Sequence, residues 1–322
     1  MRREKSYPGV VDLFSGAGGF ARGFKEAGFR ILFGIDNDRS AIKSFKVNFP
    51  ESIALNEDIK EISGRDIVKL INEQPGVVIG SPPCEPFTKA NPNRERRPLD
   101  RLYKDPMGQL TLHFIRIVSE LRPEIFVMEN VPAIMEREIK ENLEYLFEKA
   151  GYDKIYFNIL RAEDYGTPSK RTRVFISNIR IEPPKISKRV SVWEAIGDLE
   201  DRSSGEFPNH EIVKLSVKKI KKISRVRRGE ALYHYRGSDD HLYPNMIRLD
   251  PKDLAPTVMG SSRFIHPFED RLLTVREQAR LMGFPDYHVF LGGREEQYNQ
   301  VGEAVPPPLA KAIGLYIINF FT

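Results

Sequence analysis

The sequence predicts an α/β protein built on an open, mostly parallel, doubly wound sheet, with a smaller and less regular part attached. Two observations carry this reading. Short apolar runs alternate with amphipathic stretches over the first 180 residues, the rhythm of strand, helix, strand. After Ile179 that rhythm stops, and Pro, Ser, Tyr and basic residues take over. A chain of 322 residues is long enough to bury a sizeable core in the first part and still carry a second.

The elements follow in order. Residues 7–14 (YPGVVDLF) read as a short buried strand, 21–27 as a helix, 31–35 as a second strand and 39–48 as a second helix. The segment NEDI, with Asp58, ends a third strand, and VVIG at 77–80 forms the next. An apolar-periodic helix over 110–121, a strand over 124–130, a helix over 139–150 and a strand ending in RVFISNI complete the alternation. Residues 182–268 are irregular, a helical pattern returns at 274–282, and 308–321, introduced by prolines, read as the last helix.

The formal charge of +5 and pI of about 9.1 point to a polyanionic partner. Eight basic and no acidic residues lie between positions 214 and 228 (KLSVKKIKKISRVRR), so the rest of the chain is net acidic and the basicity is local. There Val217, Ile220, Ile223 and Val226 recur every third residue, which suits an amphipathic helix or turn lying on phosphates. One cysteine, Cys84, excludes an internal disulfide and a cysteine-rich zinc site, and it fits a reducing, cytoplasmic setting with no metal. Neither the N-terminal stretch MRREKSYPGVVDLF nor the apolar run at 314–321 is apolar or long enough for secretion or a membrane span.

Chemistry is concentrated where strands end. In DLFSGAGGF, residues 12–20, a strand gives way to a glycine-rich turn and then a helix, so the backbone can approach a ligand and helix N–H groups stand free. Gly16, Gly18 and Ala21 fit a dinucleotide fingerprint, with Asp36 placed as its ribose-binding acid about 20 residues on. A turn that merely packs a helix on a sheet fits the same residues. Ligands of open parallel sheets bind beyond the carboxyl ends of strands, so Asp12, Asp36, Asp58 and the turn holding Cys84 converge on one crevice. Prolines on both sides of Cys84 (GSPPCEPFT) stiffen the backbone and aim the thiol.

Taken together, the blocks DLFSGAGGF, GIDND, SPPCEPFT, ENVP, YGTPSKRTRVF, LTVREQARLMGFPD and YNQVGEAVPPPLAKAIG resemble, in content and order, the DNA cytosine-5 methyltransferases. The resemblance implies the class I S-adenosylmethionine-dependent methyltransferase fold. It further implies a catalytic and cofactor-binding domain over residues 1–180, a target-recognition domain and hinge over 181–297, and a segment 298–322 returning to the first. In such enzymes a cysteine thiolate, here Cys84, adds to C6 of cytosine so that C5 becomes nucleophilic. Glu129 of ENVP acts at N3, and Arg171 and Arg173 approach base and nucleophile. S-adenosylmethionine would lie among Phe14, Ser15, Gly16, Ala17, Gly18, Gly19, Asp36, Asn37, Asp58, Ile59, Pro82, Glu303 and Ala304.

Double-stranded DNA is the implied partner, with the target base swung out of the stack. Lys89, Arg94, Arg96 and Arg97 belong to a segment that in the family is a mobile loop closing over DNA. Lys218, Lys219, Lys221, Lys222, Arg225, Arg227 and Arg228 would meet phosphates, and LYHYRGSDDHLYPN offers polar and aromatic groups to bases. A monomer, with any cognate restriction endonuclease acting separately, is the family's common arrangement. Three positions depart from the family pattern: Glu85 and Ser169 stand where glutamine is usual, and Glu303 where asparagine is. Two other readings stay open, the same chemistry on transfer RNA and, from the glycine pattern alone, an NAD-dependent oxidoreductase.

Overall fold

The computed structural model describes residues 7–199 and 206–321; the charged stretch before Tyr7 lies outside them. Its framework is a seven-stranded sheet. Strands β1 (Gly9–Leu13), β4 (Val77–Gly80) and β5 (Ile125–Asn130) are buried along their whole length, which is why they read as continuous apolar runs rather than alternating ones. With β2 (Arg30–Asp36), β3 (Ile53–Asn56), β6 (Tyr156–Arg161) and β7 (Thr172–Ser177) they stand in the order β3-β2-β1-β4-β5-β7-β6.

The first five strands are parallel, whereas β7 runs antiparallel to both β5 and β6. That hairpin separates the sheet from an all-parallel dinucleotide-binding one. Strand β6 has no counterpart among the sequence-predicted elements. It lies at the sheet edge with Ile159 half exposed to solvent, so its apolar signal is weak.

Helices cover both faces. Successive strand residues point to opposite sides, so Val11, Val78 and Met128 enter one core and Val10, Ile79 and Val127 the other. The first is closed by α3 (Gly64–Ile71), α5 (Gln109–Leu121) and α6 (Arg137–Lys149). The second is closed by α1 (Gly19–Glu26), α2 (Arg39–Asn48) and, from the far end of the chain, α11 (Pro307–Ile317).

Between α3 and α5, the segment after the cysteine turn contains a short helix, α4 (Pro98–Tyr103), that sequence reasoning left as charged loop. Its Arg101 faces inward, bonding the carbonyls of Glu95 and Arg96 and pairing with Glu136, so one of the segment's charges fastens it in place rather than offering itself to a ligand.

The irregular half contains α7 (Val192–Ile196), α8 (Val217–Ile223), a hairpin of β8 (Ala231–Arg236) and β9 (Leu242–Ile247), then α9 (Val275–Leu281) and α10 (Arg294–Glu303). A third cluster, with Val258, Phe264, Leu281, Phe284 and Phe290, reaches back to include Ala17 of the glycine-rich turn. The basic stretch corrects the sequence reading. Helix α8 spans only seven residues, and of the four apolar positions Ile223 and Val226 are buried while Val217 and Ile220 are exposed. A three-residue repeat drifts about 60° per step around an α-helix, so those side chains wind off one face.

Candidate functional site

The loop from β1 to α1 takes three left-handed residues in close succession: Phe14 at φ 60°, Gly16 at 51° and Gly18 at 91°. For Phe14 that conformation is strained, and the surrounding bonds maintain it. Ser15 N–H donates to the Ile35 carbonyl at 3.0 Å, and Gly16 N–H to Asp36 Oδ2 at 2.8 Å. Asp38 N–H occupies the other Asp36 oxygen at 2.9 Å.

Nothing stands within 4 Å of where a Cβ on Gly16 would be, whereas one on Gly19 would strike the Val305 carbonyl and Ala304. The loop is therefore packed from behind and open in front. Beside it, Asp12 is buried, its carboxyl is pushed well above the ordinary range by burial, and its Oδ2 has no partner among the described residues. Ser15 Oγ and Ser81 Oγ likewise lack partners among those residues. An open glycine cradle ringed by orphaned polar atoms fits a polar, nucleoside-bearing cofactor.

The neighbouring strand ends contribute as the topology dictates. Asn37 is exposed; Asp58, two residues past β3, accepts from Lys60 N–H at 3.0 Å; Ile59 beside it is buried. Pro82 is buried and its carbonyl accepts from Asn130 Nδ2 at 3.1 Å, which ties the cysteine turn to the end of β5.

Cys84 is partly exposed, and its carbonyl accepts from the N–H groups of Phe87 and Thr88 in a tight turn. Burial and then the Glu85 carboxylate push its thiol up to about 12, against the opposing pull of Arg173 and Arg171. Glu129, buried at the end of β5, binds Arg173 Nε through Oε1 at 2.9 Å. Arg171 is committed elsewhere: its Nη1 donates to the carbonyls of Val258 at 2.7 Å and Gly302 at 3.0 Å, while its Nε is unpartnered among the described residues. Burial lowers that guanidinium to about 9.

Of the residues departing from the family pattern, Glu85 and Glu303 lie near one another beside the site, and Ser169 lies inside. Glu303 closes α10 next to Ala304, which backs Gly19; burial and the carboxylates of Glu85, Asp36 and Asp38 raise it to about 7. Ser169 is fully buried beside Ala255, where residues 168–170 pair with the irregular half.

The basic candidates form two groups. The Lys89 carbonyl accepts from Ser238 N–H and Oγ at the hairpin tip, Arg94 Nη1 donates to the Phe87 carbonyl, and Arg96 and Arg97 are exposed. Lys218, Lys221, Lys222, Arg225, Arg227 and Arg228 are exposed and Lys219 partly so; Lys219 Nζ lies 4.8 Å from the Tyr233 ring centre, and Arg228 stacks on Phe268 at 4.6 Å. Sequence reasoning missed His288 and Arg22, which reach the glycine-rich turn from behind. No spacing rule marks them, because their separation of 266 positions is bridged only in the fold.

Comparison with known proteins sets this geometry in context. The family described as C-5 cytosine-specific DNA methylase matches residues 9–319. A Methanocaldococcus jannaschii protein, whose name assigns it provisionally to the type II methyltransferases, is 54% identical over 94% of this chain and 97% of its own. A type II methyltransferase of Haemophilus parahaemolyticus is 35% identical over 97% of this chain and 87% of its own. Among solved structures, an Escherichia coli protein described provisionally as a prophage-encoded DNA modification methyltransferase superposes with a TM-score of 0.80. It is 27% identical and covers 98% of this chain and 99% of its own.

Proposed function

The chain belongs to the C-5 cytosine-specific DNA methylase family and is a DNA (cytosine-5-)-methyltransferase; from that premise we propose that it works through a temporary bond between Cys84 and a cytosine swung out of the duplex. The observation that carries this reading is the convergence of the Cys84 turn, the Glu129–Arg173 pair and the open glycine cradle at the carboxyl ends of adjacent strands. S-adenosylmethionine would be held by the loop 14–19, Asp36, Asn37, Asp58, Ile59, Pro82, Glu303 and Ala304, and would supply an electrophilic methyl group, with S-adenosylhomocysteine as the leaving group.

The chain's own groups do the rest. Cys84 Sγ, as thiolate, bonds to C6, and the C5–C6 π electrons move into the ring. Glu129, as the carboxylic acid, donates a hydrogen bond to N3, where that negative charge gathers, and Arg173 keeps the glutamate oriented through Nε. After C5 is methylated its proton passes to water, the C–H electron pair re-forms the C5–C6 double bond, and the C6–Sγ pair leaves with sulfur to regenerate the thiolate. Arg171, joined to Val258 and Gly302, fixes the irregular half against the sheet and lends Cys84 a second positive charge. We assign target recognition to residues 181–297, with Lys89, Arg94, Arg96, Arg97 and the basic stretch of 218–228 on phosphates, and take the chain to act as a monomer apart from any endonuclease.

The test is covalent trapping. Bisulfite sequencing of DNA from expressing cells first identifies the target. A duplex carrying 5-fluorocytosine at that position, incubated with protein and S-adenosylmethionine, is expected to give a denaturation-resistant protein–DNA product that Cys84→Ser does not form. Absence of the product from the native protein, or its presence with Cys84→Ser, overturns the mechanism.

A further inference from the structure

Behind the glycine-rich turn lies a buried network whose chemistry the reaction does not use. His288, fully buried between α9 and α10, brings Nε2 to 3.0 Å from the Ala17 carbonyl. Its other nitrogen, Nδ1, lies 3.2 Å from Arg22 Nε on α1. A guanidinium N–H only donates, so Nδ1 must be the acceptor. The ring proton then sits on Nε2, and Nε2 donates to Ala17.

Everything around the ring holds that arrangement. Arg22 is itself buried, its Nη2 donating to the Asn48 carbonyl at 3.2 Å and its guanidinium lying against the Phe49 and Tyr287 rings. Asn48 clamps the backbone of Val289 with both its amide nitrogen and its oxygen, at 2.7 and 2.9 Å. Arg276, also fully buried, donates to the His288 carbonyl at 2.6 Å. Phe284 and Phe290 flank the imidazole. Burial, together with two buried cations beside the ring, pushes His288 well below its ordinary range, so it does not take a second proton.

Ala17 lies between the left-handed Gly16 and Gly18, whose backbones have the least intrinsic preference in the turn. A fixed donor on the carbonyl between them restrains the loop alongside the bonds from Ser15 N–H to Ile35, Gly16 N–H to Asp36 and Gly18 N–H to Ser15. We propose that His288 is a positioning residue for the glycine-rich turn: its Nε2–H tautomer, locked by Arg22, holds the Ala17 carbonyl and so pre-forms the cofactor cradle. This rests on the reading that loop 14–19 receives S-adenosylmethionine.

Two substitutions in the full chain separate positioning from packing. In His288→Gln the amide nitrogen replaces Nε2 and can still donate to Ala17; in His288→Asn the amide oxygen replaces Nδ1 and can still accept from Arg22, but nothing reaches Ala17. Both remove the ring, so thermal stability is expected to fall alike. Titration calorimetry with S-adenosylmethionine and no DNA is expected to show the Asn variant weakened about tenfold and the Gln variant far less, since only the former leaves the carbonyl unsatisfied.

Nitrogen-15 NMR of the native imidazole is expected to show a neutral Nε2–H ring that does not titrate down to about pH 5. Equal cofactor affinity in the two variants, or an Nδ1–H or charged ring in the native protein, overturns the proposal. If the variants fail to fold, the NMR tautomer still decides. If the native protein binds no S-adenosylmethionine while the ring is Nε2–H, the cofactor assignment fails and the brace stands as a loop brace alone.

Discussion

At Cys84 the free protein favours the neutral thiol over the thiolate that the proposed attack needs. Burial favours the neutral thiol, and Glu85, adjacent in sequence, adds a negative charge that favours it further. Arg173 and Arg171 oppose both without overcoming them. Glu85 is therefore a brake on the resting thiol, and removing its charge has a definite sign. Glu85→Gln is expected to lower the Cys84 pKa from about 12 and move the pH profile of iodoacetamide alkylation to lower pH, with faster labelling at about pH 8. Alkylation at an unchanged or slower rate would remove Glu85 from the groups that hold the thiol up. The sign of the Glu85 effect is legible in the sequence, because charge and adjacency are written there. The dominance of burial is not, since it depends on how closely the turn packs against Asn130 and the end of β5. For the same reason Arg171 and Arg173 look equivalent in RTR, yet one pairs with Glu129 and the other spans to the irregular half.

Elements show where pattern reading succeeds and where it drifts. Strands β1 and β4 are legible as continuously buried apolar runs, β2 as a mostly buried strand and α2 as a helix with one buried face, and their order puts Asp12, Asp36 and Cys84 on one edge without further assumption. Strand β6 is not, since an edge strand with an exposed isoleucine and polar neighbours carries little periodicity. The basic stretch is legible as charge and as a helix or turn, but not in which of its four apolar positions are buried. What the short α8 does is present its lysines from a base fixed by Ile223 and Val226 in a small cluster with Ile265 and Leu272. Lysines so presented would act on phosphates as point charges, independent of sequence. Replacing Lys218, Lys219, Lys221 and Lys222 with Gln is expected to weaken binding to target and non-target duplexes alike. The slope of log K against log salt should flatten by about 0.9 for each phosphate that is no longer neutralised. A slope equal to that of the native protein, measured by fluorescence anisotropy over a salt series, would remove α8 from the interface.

The whole molecule is closed by its two ends. Helix α11 returns from the irregular half to pack on α1, the helix that starts at the glycine-rich turn, so the first and last helices share one core with the back of the sheet. The approach is close enough that small residues are obligatory on both sides. A Cβ on Gly23 would come within 2.3 Å of Ala310 Cβ, 2.4 Å of Lys311 N and 2.6 Å of the Pro307 carbonyl, and one on Gly314 within 2.8 Å of Ala27 Cβ. Two of the atoms facing Gly23 belong to the backbone, which cannot rotate away as a side chain can. Ala is the better helix former, so Gly23→Ala would stabilise an isolated α1 by about 0.8–1 kcal/mol. In the assembled molecule the helices must instead separate, and overpacking of this kind costs about 1–3 kcal/mol, outweighing the propensity gain. Because α1 carries Arg22 and begins at Gly19, a displaced α1 also moves the Arg22–His288–Ala17 brace and the wall that Ala304 and Val305 form behind the turn. Gly23→Ala is therefore expected to lower the midpoint of thermal unfolding and to weaken S-adenosylmethionine binding together, while Ala substitution at the exposed Lys43 on α2 changes neither. A Gly23→Ala protein that unfolds at or above the native temperature would mean that α1 and α11 pack less tightly in solution than these distances require.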